Sequence, residues 1–189
     1  MKLLRKEILI NRLNAQQINF VNARLSEIES AIKLVVYPAG SSVFTIKPEK
    51  KANGVKPIKE LFIAHLKEKG WKLEHSNADA VYLDDNNQNV AVEWETGNIS
   101  SSHRSINRLM LGMINQKWIA GVLVVPSRKL YPYLTDRIGN YQELEQYFSI
   151  YQDHNKVPQG YLAIFEIEHD NEDENVPAIP KGTDGRALR

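Results

Sequence analysis

Three acidic residues, Asp79, Glu93 and Glu95, have the types and spacing that could do chemistry in this chain. They lie in two short apolar runs, residues 77–83 and 90–95, which a polar turn separates, a pattern typical of a β-hairpin. A turn centred on residue 86 places Asp79 opposite Glu93, and the two-residue period of a strand adds Glu95 to the same face. Carboxylates in such a cluster repel one another unless a hard divalent cation binds between them. The spacing therefore predicts a site where the three carboxylates bind a divalent cation such as Mg²⁺, which points to metal-dependent phosphodiester chemistry.

Two alternatives stay open for these acids. They could be charged residues on the solvent face of an ordinary hairpin, and a shift of the turn by one residue would move Asp79 to the other face. Asp84 and Asp85 also precede Glu93, and Asp84 is the alternative catalytic aspartate. Hairpin geometry favours Asp79, because Asp84 and Asp85 would lie at the turn, far from Glu93.

Composition limits the class of protein. The chain has 189 residues, a formal net charge of +1 and no cysteine. This length suits one ordinary domain, or one domain with appendages, and we expect a single domain at residues 1–170; the lack of cysteine excludes disulfides and zinc–thiolate sites. No apolar run is long enough to cross a membrane, and no signal sequence is evident, so we expect a cytoplasmic protein.

Charge is segregated along the chain. Lysines cluster in one loop (Lys47, Lys50, Lys51, Lys56 and Lys59), whereas acids crowd residues 166–174. Such segregation allows a basic cleft in a near-neutral protein, although both runs could equally be solvated surface. The C-terminal tail, residues 171–189, follows the acidic run and carries Lys181, Arg186 and Arg189. It is either disordered or an arm that orders against DNA phosphates.

The elements that must position the acids follow from hydrophobic periodicity. The chain predicts a strand at 3–10, a helix that Asn14 caps, a short strand near 43–46 and a helix that begins at Pro57. A strand at 71–74 precedes the hairpin, and a helix from Ser101 or Ser102, a buried strand at 120–125, a helix at 141–149 and a strand at 161–167 follow it. This order is an α/β layer fold with a central mixed β-sheet flanked by helices.

An aspartate on one strand and Glu93-x-Glu95 on the next, followed by a helix and a strand, resemble the PD-(D/E)XK nuclease superfamily. Residues 58–146 are similar to the BglII/BstYI restriction endonucleases in Lys59-Glu60-Leu61-Phe62, Glu68-Lys69-Gly70-Trp71-Lys72, Val90-Ala91-Val92-Glu93-Trp94-Glu95 and Gly97. Further matches are Gly121-Val122, Val125-Pro126, Tyr141, Glu143 and Leu144. Two positions depart from the superfamily pattern: Ala78 replaces the proline, and Glu95 replaces the lysine.

The resemblance implies an Mg²⁺-dependent type II restriction endonuclease, a homodimer that cuts double-stranded DNA at a short palindrome, with GATC as a candidate core. It implies that Asp79 and Glu93 hold the metal, that Glu95 orients or deprotonates the water, and that Glu60 completes the site. The first turn of the helix after the catalytic strand is expected to contact DNA, and the lysine loop and the tail to add phosphate contacts. These predicted DNA-binding residues are Asn98, Ser100, Ser101, Ser102, His103, Arg104, Lys47, Lys50, Lys51, Lys181 and Arg186.

Three other functions remain possible at this point. The first is a repair or recombination nuclease of the same fold, which would prefer branched or damaged DNA. The second is a degenerate nuclease fold that binds DNA without cutting it, which the missing lysine favours and the intact carboxylates oppose. The third is an unrelated α/β protein with an acidic surface strand. Fold alone does not decide among them, because function resides in the site.

Overall fold

A six-stranded mixed sheet forms the centre of the structure, a computed structural model that describes residues 1–86, 88–135, 138–152 and 155–181. The strand order is β1-β7-β6-β5-β4-β3; β5, β6 and β7 are parallel, and the other pairs are antiparallel. The six strands are β1 (Lys2–Arg12), β3 (Lys72–Leu73), β4 (Ala80–Tyr82), β5 (Val90–Trp94), β6 (Ala120–Pro126) and β7 (Gly160–Glu168). A separate parallel pair joins β2 (Thr45–Ile46) to β8 (Asn171–Glu172). The predicted mixed sheet with flanking helices is confirmed.

Helices cover both faces of the sheet. One face packs against α1 (Ala15–Leu34) and α2 (Lys56–Glu68), through residues such as Ile28 and Phe62. The opposite face packs against α3 (Ile99–Ile114), α4 (Tyr141–Glu145) and α5 (Phe148–Tyr151). Strand β6 is buried along its whole length, as its continuous apolar sequence predicts.

The predicted hairpin is present with the predicted register. Pairing of Ala80 with Val92 and of Tyr82 with Val90 centres the turn on residue 86. Side chains alternate between the faces of the sheet, so Val92 packs towards α1 and α2 whereas Ala91 packs towards α3. Glu93 is two residues from Ala91 and therefore belongs to the face that α3 covers.

Both outer strands of the sheet are short or irregular. Strand β1 pairs with β7 on one side, and its register shifts twice, between Leu3 and Arg5 and between Ile8 and Ile10. The opposite outer strand, β3, has only two residues.

One expectation needs correction. The predicted helix at 141–149 is two short helices, α4 and α5, separated at Gln146 and Tyr147. Past residue 170, where the C-terminal tail is predicted to begin, residues 171–181 contact the preceding part of the chain: β8 pairs with β2, and Ile179 is buried with its carbonyl bound to the Gly54 amide. Residues 182–189, including Arg186 and Arg189, lie outside the described residues. Among the described helices, none combines the length and hydropathy needed to cross a membrane.

Candidate active site

The three predicted acids lie together at the end of β5, beneath the first turns of α3. They line one cavity of about 170 Å³, between β5, α2 and α3. The other lining residues are Lys59, Trp94, Thr96, Gly97, Ser101, Arg104, Ser105 and Arg108. The alternative of an acidic solvent face is wrong, because Glu93 is only 3% exposed and Glu95 only 4%.

Asp79 is held by two donors, one on each carboxylate oxygen. The backbone amide of Trp94 donates a hydrogen bond of 2.8 Å to Oδ2, and the Lys59 ammonium lies 2.5 Å from Oδ1. The first contact fixes Asp79 against the strand that carries Glu93. Asp84, in contrast, lies at the turn, where its Oδ2 accepts from the amide of Asn86.

Glu93 is a buried carboxylate paired with an arginine. Its Oε1 lies 2.6 Å from Nη1 of Arg108, which reaches it from α3. Burial, followed by repulsion from Asp79, raises the pKa of Glu93 to about 7, although Arg108 and Lys59 oppose the shift. Glu93 is therefore poised to change its charge near neutral pH, as acids at reactive sites commonly are.

Glu95 is also buried, but only one of its oxygens has a partner. The amide of Gly97 donates to Oε1 at 2.5 Å, whereas Oε2 is inaccessible to solvent and accepts no hydrogen bond from the described residues. Burial raises the pKa of Glu95, against the opposing effects of Ser102 and of the Gly97 and Thr96 amides. A Cβ at position 97 would lie 2.5 Å from Ser101 Oγ, so glycine is needed for this close turn.

The donor set suits a hard cation, but it is not assembled as a ready-made metal site. In the described part of the chain, no three Asp, Glu, His or Cys side chains are arranged to hold a metal ion. Lys59 and Arg108 instead neutralise Asp79 and Glu93. The unpartnered, buried Oε2 of Glu95 beside these oxygens is an observation that fits Mg²⁺ chemistry, since such a group is costly without a ligand, water or ion.

Most of the predicted DNA-contacting residues of α3 lie at its accessible first turn. Asn98 caps the helix by accepting from the Ser101 amide, and Ser100 is exposed. Arg104 donates to Ser101 Oγ at 2.9 Å and lines the acidic cavity. His103 contacts Tyr147 edge-to-face, with ring centroids 4.6 Å apart. Ser100, His103, Arg104 and Arg108 also line a neighbouring groove of about 570 Å³.

Three sets of predicted residues lie elsewhere. Ser102 is fully buried, with its hydroxyl close to Gly139, so it is not exposed for the predicted DNA contact in this DNA-free structure. Lys47, Lys50 and Lys51 lie on the loop between β2 and α2, with Lys47 3.7 Å from Glu49, and none lines the acidic cavity. Lys181 is exposed.

Glu60 does not line the acidic cavity, and its role in completing the metal site stays a prediction. It is exposed and borders a different cavity of about 330 Å³, with Tyr37, Phe44 and Pro180. The preceding residue, Lys59, faces the acids instead. The pairing of Lys59 with Asp79 and of Arg108 with Glu93 was not predicted from the sequence. The pairing could have been expected, because buried acids require nearby cations, and the flanking helices supply them.

Comparison with known proteins identifies the family. The family model described as restriction endonuclease BamHI matches residues 1–186. The chain is 50% identical over 199 residues to the type II restriction enzyme OkrAI of Oceanobacter kriegii, with both chains fully covered. It is 37% identical over 182 residues to the type II restriction enzyme BamHI of Bacillus amyloliquefaciens, covering 87% of this chain and 82% of that one.

Solved structures show the same fold at low identity. The crystal structure of restriction endonuclease BglII complexed with a DNA 16-mer matches with a TM-score of 0.56 and 12% identity, over 94% of this chain and 88% of that one. Free BglII matches with a TM-score of 0.50 and 13% identity, over 88% and 81%. The predicted likeness to restriction endonucleases is confirmed, with BglII as a structural neighbour and BamHI as the matching family model. The chain belongs to the BamHI family of type II restriction endonucleases.

Proposed function

We propose that this restriction endonuclease hydrolyses DNA with Mg²⁺ held by Asp79 and Glu93 and with Glu95 as the group that orients or deprotonates the water. The observation that carries the proposal is the single cavity in which all three carboxylates meet, with Glu95 Oε2 buried and unpartnered. Mg²⁺, when bound, would lower the pKa of a coordinated water and offset charge on the phosphate.

The protein residues have separate tasks around that ion. Asp79 is oriented by the Trp94 amide, so one of its oxygens is held in place while the other faces the cavity cation, Lys59. The backbone carbonyl of Trp94 is a further candidate ligand, because that role does not depend on its side chain. Glu95 is anchored through Oε1 to Gly97, which leaves Oε2 to accept a proton.

DNA binding is proposed for the first turn of α3 and the basic segments around it. Asn98, Ser100, Ser101, His103 and Arg104 supply donors for phosphates or base edges beside the acids. Lys47, Lys50, Lys51 and Lys181 add attraction that falls as salt concentration rises. Arg186, predicted for the same role, lies outside the described residues.

We further propose a homodimer that cuts both strands of a short palindrome, with GATC as a candidate core. Apolar side chains are exposed on α3 and α5: Leu111 is 57% exposed and Ile150 is 62% exposed. They border a cavity of about 330 Å³ together with Met110, Ile114 and Tyr151. Contiguous exposed apolar surface favours association, and a two-fold axis in the protein matches the symmetry of a palindrome.

The test is incubation of the purified protein with unmethylated phage DNA and Mg²⁺, beside EDTA and Glu93→Ala controls. Discrete fragments that both controls abolish are expected, and sequencing of the ends gives the recognition site. Discrete fragments that persist in Glu93→Ala would overturn the assignment of the metal ligands. Fragment ends without a shared GATC would reject that core while leaving the metal proposal intact.

A further inference from the structure

The candidate active site contains its own cations. Lys59 Nζ lies 2.5 Å from Asp79 Oδ1, and Arg108 Nη1 lies 2.6 Å from Glu93 Oε1. The side chains of Lys59 and Asp79 are only 22% and 15% exposed, so solvent screens this pair less than a surface ion pair. Both proposed metal ligands are thus already neutralised by side chains from the flanking helices.

Packing at the start of α2 fixes the position of Lys59. The amide of Lys59 donates to the Val55 carbonyl and forms the first helical hydrogen bond. One turn later, the Phe62 ring packs on Trp94 with centroids 4.6 Å apart. The helix is therefore held against the strand that carries Glu93 and Glu95, and the Lys59 stem extends from this fixed base into the acidic cavity.

Lys59 also supplies a positive charge that is missing from the segment carrying Glu93 and Glu95. The superfamily motif named above ends in lysine, whereas this chain has Glu95 at that position. Glu95 and Lys59 line the same cavity. An ammonium is therefore present in the site, but it comes from α2 rather than from the strand.

We propose that Lys59 occupies the place of the metal on Asp79 in the DNA-free protein and that a divalent cation displaces it towards the scissile phosphate. The inference rests on the proposed metal site. A divalent cation on Asp79 repels the ammonium, and the flexible four-carbon stem of lysine lets the charge move while the helix stays in place. The displaced ammonium then offsets negative charge on the phosphate, close to where charge develops during hydrolysis.

The two halves of the proposal predict opposite effects of removing the charge. Without the competing ammonium, the DNA-free protein binds a divalent cation more tightly. Without the cation near the phosphate, cleavage at saturating metal becomes slower. If Lys59 only supported the fold, its removal would weaken metal binding. If Lys59 only attracted DNA, its removal would leave metal binding unchanged.

The experiment titrates DNA-free protein with Mn²⁺, follows free Mn²⁺ by electron paramagnetic resonance, and compares wild type, Lys59→Met and Lys67→Met. Lys67 is exposed on the same helix, does not line the acidic cavity and lies outside the lysine loop, so it is the matched control. We expect Lys59→Met to bind Mn²⁺ about fivefold more tightly. Its single-turnover cleavage at saturating Mg²⁺ should fall about a hundredfold. Lys67→Met should match wild type in both.

Unchanged or weaker Mn²⁺ binding by folded Lys59→Met would overturn the inference. Tighter binding with undiminished cleavage would overturn its second half. If Lys59→Met fails to fold, Lys59→Gln replaces it, because glutamine can still donate to Asp79 without a charge. Asp79→Asn separates this inference from the proposed metal site: if Asp79→Asn keeps both Mn²⁺ binding and cleavage, the metal site itself is wrong.

Discussion

The Trp94 amide donates a 2.8 Å hydrogen bond to Asp79 Oδ2, although the ladder between β4 and β5 ends one pair earlier, at Ala80 and Val92. The side chain of Asp79 thus continues the contact between the two strands where their backbones stop pairing. This relationship places Asp79 beside Glu93, in the same cavity, and supports the proposal that Asp79 rather than Asp84 acts with Glu93.

The first prediction compares these two aspartates. Asp79→Asn should lower single-turnover cleavage by about a thousandfold, because it removes one proposed metal ligand. Asp84→Asn should stay near wild type, since the Asp84 carboxylate lies at the turn, where it accepts from the Asn86 amide, and does not line the acidic cavity. The measurement is quenched-flow cleavage of a plasmid bearing one site. A larger loss in Asp84→Asn would show that the wrong aspartate has been assigned.

The second prediction concerns the pH dependence of cleavage. Burial raises the pKa of Glu95, so its basic form accumulates at higher pH than for an ordinary glutamate. At saturating metal, the cleavage rate should rise with pH as Glu95 loses its proton and then level off. Glu95→Gln should lose this rise and about a hundredfold in rate, while it still binds Mn²⁺. An unchanged pH profile in Glu95→Gln would exclude Glu95 as the base.

The third prediction is that Glu93 destabilises the metal-free protein at neutral and alkaline pH. Its folded pKa, about 7, lies above its ordinary value of 4.5, so the folded state holds the proton more firmly than the unfolded chain. Stability therefore falls as pH rises from the ordinary pKa through the folded one, and the full penalty is present above it.

Glu93→Gln removes this ionisation and should be more stable than wild type in EDTA by about 2 kcal/mol at about pH 8, with a smaller difference at about pH 5. Urea unfolding at both pH values measures the effect. Glu68→Gln, at a side chain 76% exposed, is the control and should show neither change. Equal destabilisation of Glu93→Gln at both pH values would mean that the ion pair with Arg108 outweighs burial.

The fourth prediction tests the DNA face of α3. Arg104 is exposed, lines the acidic cavity and donates a hydrogen bond to Ser101 Oγ on its own helix. Arg104→Gln should weaken DNA binding and reduce the slope of log affinity against log salt by about 1. Fluorescence anisotropy over a salt series checks this, with Lys67→Gln on the exposed side of α2 as the control. Equal slopes for both variants would exclude a phosphate contact by Arg104.

The fifth prediction tests the proposed dimer surface. Ile150→Lys places a charge on the exposed apolar surface of α5 and should shift the protein towards monomer in multi-angle light scattering. Leu83→Lys, at a residue 41% exposed in the hairpin, is the control and should leave the mass unchanged. A monomer that retains activity should nick plasmid before it linearises it. An unchanged mass for Ile150→Lys would place the interface elsewhere.

The sequence could predict the hairpin because its information is local. Alternation with a period of two and a polar turn centred on residue 86 together place Asp79, Glu93 and Glu95 on one face. The buried strand β6 could be predicted in the same way, since the six apolar residues from Ala120 to Val125, ended by Pro126, suit a strand covered on both sides.

The ion pairs of Asp79 with Lys59 and of Glu93 with Arg108 could not be predicted in the same way. Lys59 and Arg108 reach the acids from helices 15 to 20 residues away in the chain, and the pairing depends on how those helices dock. The position of Glu60 depends on the same docking. Successive helical residues differ in direction by about 100°, so a helix that turns Lys59 into the acidic cavity directs Glu60 to another cavity.

The irregular outer strands of the sheet limit how two molecules can assemble. A neighbouring chain could extend a sheet only along a regular, unpaired strand, yet β1 is bulged twice and carries charged residues, and β3 has two residues. Among the described strands of the main sheet, neither edge therefore offers a template for a continuous intermolecular sheet. Disulfide trapping of a dimer should accordingly succeed with cysteines introduced on helices and fail with cysteines introduced along β1.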